Sequence, residues 1–196
     1  GSEMCIRDRK GVYPFGENSA LVVDGVHQYT AFYRELSEQL GKGTGWTWSA
    51  HAMGYNFYGL FCYYLCSPFS FLILLFMKFM YVNEAVTAVI LIKAGLCSVS
   101  MAWYSGKKYP GRGSMAVSLG CMYALSNFLI GYYSNVMWLD CIMLLPVLAY
   151  LIEQLVHTGK WRGYCLVLGY CILTSYYMGF MSVSYTHLRA HETDSY

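Results

Sequence analysis

From Ala85 to Tyr104 the chain runs through apolar and small residues with a single charge, Lys93, near the middle. About 20 such residues, wound as a helix, match the thickness of a bilayer's hydrocarbon core. A helix satisfies its own backbone polar groups there, which an open strand does not. This stretch therefore commits the chain to a membrane. It also demands further helices, because an ionisable residue inside a span needs a partner to face. For Lys93 that partner is a carboxylate or a lipid phosphate. Three more apolar runs follow, so the predicted spans are about 84–104, 115–133, 138–156 (with Pro146 inside) and 164–182. The expected fold class is all-α, a polytopic membrane helix bundle.

Composition agrees with that class. Charged residues make up 12% of the chain, against about 25% in a soluble domain. Twenty Tyr and five Trp suit the two water interfaces of a bilayer. A net charge of +2 with no basic–aromatic patch excludes a nucleic-acid partner; membrane lipids are the expected surroundings. The eight cysteines show no CxxC pair and no zinc-finger spacing. They read as small apolar residues within helices.

Residues 11–83 precede the regular spans. Gly11–Gly16 reads as loop, and Asp24–Leu40 as a helix with apolar residues at Val26, Tyr29, Phe32, Tyr33, Leu36 and Leu40. Gly41 and Gly43 end it. Asp24, His27 and Gln28 fall on one face of that helix. Residues 59–82 are apolar but interrupted by Ser67-Pro68, and proline breaks or kinks a helix. They are expected as an interfacial or re-entrant pair of short helices.

Short loops rich in Lys and Arg stay in the cytoplasm. That places 105–114 and 157–163 inside, and the uncharged turn Ser134–Met137 outside. With 59–82 re-entrant, the 11–58 loop is also outside. Two acids distant in sequence, Asp24 and Asp140, then share the outer face. Each keeps a structural alternative: Asp24 as a helix N-cap, Asp140 as an acid favoured by the helix dipole. Glu153, near the inner end, is expected to snorkel.

The two ends fit their neighbours poorly. Met4–Arg9 and Tyr185–Thr193 look like translated sequencing-adapter sequence, so 1–10 and 183–196 are set aside as artefact or tail. The chain is expected to be an N-terminal fragment of a longer protein.

Several short motifs occur in a fixed order: Asp24-x-x-x-Gln28-Tyr29, Gly54-x-Asn56-Phe57, Tyr63-Tyr64-x-x-Ser67-Pro68-Phe69, Asn135-x-Met137-Trp138-Leu139-Asp140 with Leu145-Pro146, and Tyr176-Tyr177-x-Gly179. In this order, over residues 12–182, the chain resembles the bacterial YfhO family of multi-spanning membrane proteins, related to the GT-C glycosyltransferases. The resemblance implies a GT-C-like bundle with an N-terminal extracytoplasmic loop carrying amphipathic helices. It implies a polyprenyl-phosphate-linked sugar donor and a cell-envelope polymer acceptor such as lipoteichoic acid. The acid of the first outer loop is the usual catalytic position, which here is Asp24.

A carboxylate there takes the proton of an attacking hydroxyl, or holds a divalent cation against the departing phosphate. Asp140 is the expected second catalytic or metal-holding acid. His27, Gln28, Tyr29, Asn56 and Tyr177 are the candidate contacts to sugar or phosphate. Trp46, Trp48, Tyr63 and Tyr64 either stack on sugar or sit at the membrane interface. Competing functions are a transporter or flippase for a lipid-linked substrate, with Lys93 and Asp140 as intramembrane polar sites, and a non-catalytic envelope assembly protein.

Overall fold

The computed structural model describes residues 28–42 and 56–193. Among these, all regular structure is helical. The elements are α1 (Thr30–Lys42), α2 (Phe57–Leu60) running into a π-helical turn (Phe61–Leu65), α3 (Pro68–Phe76), α4 (Val82–Lys108), α5 (Gly113–Ala124), α6 (Asn127–Tyr132), α7 (Val136–Thr158), α8 (Arg162–Thr174) and α9 (Tyr176–Thr193). They divide into two compact units. The first holds the described residues up to Phe57 together with Pro68–Leu91; the second holds Tyr58–Ser67 and everything from Ile92 onward.

In the first unit, Tyr29, Tyr33 and Leu36 recur at helical spacing and are buried, while Ala31, Arg34, Ser37 and Glu38 are exposed. That is the pattern of an amphipathic helix with one face in a core. α1 packs against α3. α3 opens on Pro68, where a missing N–H costs nothing because no intrahelical acceptor exists for it. The break expected at Ser67-Pro68 is therefore present as an end and a new start. By length and composition these two apolar pieces make either one broken span or a re-entrant loop. α4 starts with a local cap: the Tyr81 amide donates to Glu84 Oε2 at 3.1 Å.

In the second unit three contacts set the register of α4 on α7. Lys93 meets Asp140, the Trp103 ring meets Tyr150 edge-on at 5.0 Å, and Lys108 meets Glu153. The contacts advance together along both sequences, so the two helices run parallel. Parallel neighbours require the chain to return the full length of the bundle between them. The rod Gly113–Tyr132, formed by α5 and α6, is the apolar segment available for that return. Its close approach to α4 depends on Gly120, because a Cβ there would lie 2.5 Å from the Ser98 carbonyl oxygen. Small residues permit such backbone contact between membrane helices.

The rod is interrupted where one continuous span was expected. Leu125 ends α5, and Ser126 starts α6 with extended backbone, its hydroxyl accepting from the Leu129 amide at 3.4 Å. Serine offers the backbone this local alternative to helix.

α7 runs through Pro146. Proline cannot donate to the carbonyl four residues back, which is that of Ile142. The Tyr123 hydroxyl donates to it instead, at 2.7 Å. Gly159 ends α7 in the left-handed conformation (φ 67°), its amide bonded to the Leu155 carbonyl at 2.9 Å. Glycine is the residue that adopts this cap without steric cost.

The expected span 164–182 is not one helix. α8 stops at Thr174, Ser175 is extended, and α9 packs back on α8 and also on α7. Gly179 makes this possible: a Cβ there would come within 2.8 Å of the Ile172 backbone. α9 continues through the segment set aside as a tail, as far as Thr193. Of the described helices, Val82–Lys108, Gly113–Tyr132 and Val136–Thr158 are long and apolar enough to cross a bilayer, with the Ser67 pair as a fourth if it forms one span. Val117, Met122, Leu125, Leu166 and Leu173 leave large apolar surface outside the packed core. In water such surface marks an interaction site; on a helix bundle with spans of membrane length it is surface suited to lipid.

Candidate functional site

The buried polar centre of the second unit forms where α4, α7 and α8 meet. Lys93 reaches across from mid-α4, and its side chain is 1% exposed. Asp140 lies in the second turn of α7 and is fully buried. The Lys93 ammonium donates to Asp140 Oδ2 at 2.7 Å and to the Val136 carbonyl oxygen at 3.0 Å. Tyr170 of α8 makes a long hydrogen bond, 3.4 Å, to the other carboxylate oxygen. The Ser67 side chain, at the end of the interrupted helix, lies close to the Tyr170 hydroxyl.

The carboxylate partner expected for Lys93 is thus Asp140. The pairing brings charge, counter-charge and two hydroxyls into one contiguous network. A buried ion pair is stable only when its remaining hydrogen-bonding capacity is also met. The Val136 carbonyl and the Tyr170 hydroxyl supply that capacity. Tyr170 and Ser67 went unrecognised in the sequence. Both sit in apolar surroundings, and Ser67 was read as part of the helix break and of a motif, not as a polar contact.

Beside this network lies a row of aromatic rings. Phe128 packs on Tyr132 (4.9 Å between centroids), Tyr132 on Trp138 (5.6 Å), and Trp138 on Tyr177 (5.7 Å, stacked with the rings inclined by 28°). Tyr177, a predicted substrate contact, is about half exposed at 48%. It is therefore reachable, and it stands one ring away from the first turn of α7. The Trp138 indole N–H is buried without a hydrogen-bond partner among the described residues.

The other predicted site residues are placed as follows. Asp24 and His27, with Trp46 and Trp48, lie outside the described residues. Gln28 and Asn56 are exposed and Tyr29 is buried, all in the first unit. Tyr63 and Tyr64 meet edge-on at 4.7 Å. Glu153, expected to snorkel, instead accepts from Lys108 and from the Tyr104 hydroxyl (3.0 Å).

No three His, Cys, Asp or Glu side chains converge on one point among the described residues. The Asp140 carboxylate is a poor fit to a divalent cation, because the Lys93 ammonium already holds one of its oxygens. The described cysteines are free thiols, with Cys97, Cys141 and Cys171 buried. Cys141 Sγ lies 3.4 Å from the Cys171 carbonyl oxygen, so it packs as a weakly bonding small residue.

The helix lengths, the exposed apolar surface and the internally paired charge define a multi-pass α-helical membrane protein. Within that class the chain belongs to the bacterial membrane protein YfhO family, whose model matches residues 5–188. The match extends past 12–182 at both ends. No curated protein and no solved structure matches the chain.

Proposed function

We propose that the chain is part of a membrane glycosyltransferase. It takes a sugar from a polyprenyl-phosphate donor and adds it to a cell-envelope polymer, such as lipoteichoic acid, on the outer face of the membrane. The observation that carries this reading is the family match across residues 5–188, which contains the ordered motifs from Asp24 to Tyr177. The parallel run of α4 and α7 is consistent with it. It puts the start of α7, with Trp138 and Asp140, at the opposite end of the second unit from the basic segments at Lys107–Arg112 and Lys160–Arg162. By the positive-inside rule those segments face the cytoplasm, so the α7 start faces outward.

In this mechanism the Asp24 carboxylate accepts the proton of the acceptor hydroxyl as its oxygen attacks the anomeric carbon. The bond from that carbon to the phosphate oxygen breaks, and the polyprenyl phosphate leaves with the electron pair. His27, Gln28 and Asn56 hold sugar or phosphate by hydrogen bonds, and Tyr177 offers an exposed ring face. In this reading Asp140, expected as a second catalytic acid, acts by holding the start of α7. Fully buried and bonded to Lys93, it also positions Trp138.

A second reading has one observation in its favour. A lysine–aspartate pair buried inside a membrane bundle is the kind of element that marks a transport path. Sugar transfer in membranes carrying the chain, measured with a labelled polyprenyl-phosphate sugar, separates the two. Asp24→Asn is expected to lower transfer by about 10²–10⁴-fold at unchanged membrane abundance. Full transfer by that variant would end the catalytic reading. Loss of substrate translocation in a folded Lys93→Met, Asp140→Leu double variant would then favour transport.

A further inference from the structure

The second unit carries a cavity of about 520 Å³ at its basic end, folded around the turn between α7 and α8. Leu151 and Gln154 of α7 form one side, and Lys160, Trp161 and Arg162 form the other. Two glycines shape it. Gly159 takes the left-handed conformation that turns the chain. Gly163 lets α8 close on α7, since a Cβ there would sit 3.0 Å from the Leu151 side chain.

The charges at this end are not equivalent. Lys108 is neutralised by Glu153. Lys160 and Arg162 are exposed, with no carboxylate within ion-pair distance among the described residues, and no acid lines the cavity. Gln154 donates its side-chain amide to the Tyr150 hydroxyl at 2.9 Å, which holds that wall in place. The cavity therefore presents two unneutralised cations to an anion.

Its other features narrow the anion. Leu151 gives an apolar wall on the face of a membrane-spanning helix. Trp161 is exposed at the level where indole rings settle, between headgroups and acyl chains. Cations, an indole and an apolar wall at one depth match a phosphodiester with a hydrocarbon chain attached. Basic pockets of this kind between membrane helices bind lipid head groups. We propose that this cavity binds the phosphate headgroup of an anionic phospholipid, with Lys160 and Arg162 on the phosphate and Leu151 along the acyl chain. The proposal requires only that the chain is membrane-embedded; it does not depend on sugar transfer.

The test is thermal unfolding of the full chain in a neutral detergent, titrated with phosphatidylglycerol, phosphatidylcholine or inorganic phosphate. Phosphatidylglycerol is expected to raise the midpoint saturably, and phosphatidylcholine to leave it unchanged. In Lys160→Gln, Arg162→Gln the half-saturating concentration is expected to rise about tenfold or more, since each basic residue contributes separately at such a surface. A Lys107→Gln, Arg112→Gln variant, altered at the same end but outside the cavity, is expected to respond as the unaltered chain does. Equal stabilisation by the two lipids would overturn the proposal. So would an equal loss in both double variants, which would mean diffuse attraction to a basic surface. Inorganic phosphate acting as well as the lipid would also overturn it, by making the site one for free phosphate.

Discussion

α4 and α7 are joined twice by a lysine and a carboxylate, and the two joints differ in everything except their chemistry. Lys93–Asp140 is sealed, at 1% and 0% exposure, with a backbone carbonyl and a tyrosine completing its hydrogen bonds. Lys108–Glu153 lies about 22 Å further along α4 by helix rise, with side chains 40% and 30% exposed. Taking a charge out of water costs several kcal/mol, so a buried ion whose partner is removed becomes a large defect. An exposed ion recovers water when its partner goes, and the loss is small. The inner pair therefore ties the helices to one register, while the outer pair follows from a register already set by packing such as Trp103 on Tyr150.

The largest effect expected from this contrast is at the inner pair. Lys93→Met or Asp140→Asn alone is expected to cost about 3–5 kcal/mol, read as a lowered unfolding midpoint in detergent. The double variant Lys93→Met, Asp140→Leu is expected to recover most of that loss, because no charge is left buried and unpaired. Single variants that lose less than the outer pair does would break the contrast.

A neutral hydrogen bond in the same bundle sharpens it. Tyr123→Phe leaves the Ile142 carbonyl without the donor that stands in for Pro146. The expected cost is about 1–3 kcal/mol, below that of the inner pair. A cost equal to that of Asp140→Asn would mean that lost hydrogen bonding, and not stranded charge, dominates both sites.

The smallest effect is at the outer pair. Lys108→Gln or Glu153→Gln is expected to change stability by about 0–1 kcal/mol, and added salt to shrink the difference further. A loss comparable to the inner pair would show that Tyr104, bonded to Glu153 at 3.0 Å, makes the cluster cooperative.

Much of the architecture was legible because it rests on local signals. Apolar length marked α4 and α7, and Ser67-Pro68 marked a break. Each is a property of one continuous stretch of chain and its backbone. The interruption at Ser126 and the turn-back at Ser175 were not legible, because apolar composition runs straight through both. They follow from capping geometry and from Gly179 lying against Ile172. For the candidate site, Lys93 announced that it needed a partner, and its mid-span position was the signal. Tyr177 was singled out by motif alone, and its stacking on Trp138 follows from the packing of α9 onto α7.

The sequence by itself determined that this chain is a membrane helix bundle and that Lys93 cannot stand alone in it. Length against bilayer thickness and the cost of a lone buried charge suffice for both conclusions. Only the tertiary structure decided that Asp140, 47 positions away, answers Lys93. Which of several acids meets a lysine depends on the relative direction and register of two helices. That register is set by contacts between residues far apart in the chain, such as Gly120 against Ser98 and Trp103 against Tyr150.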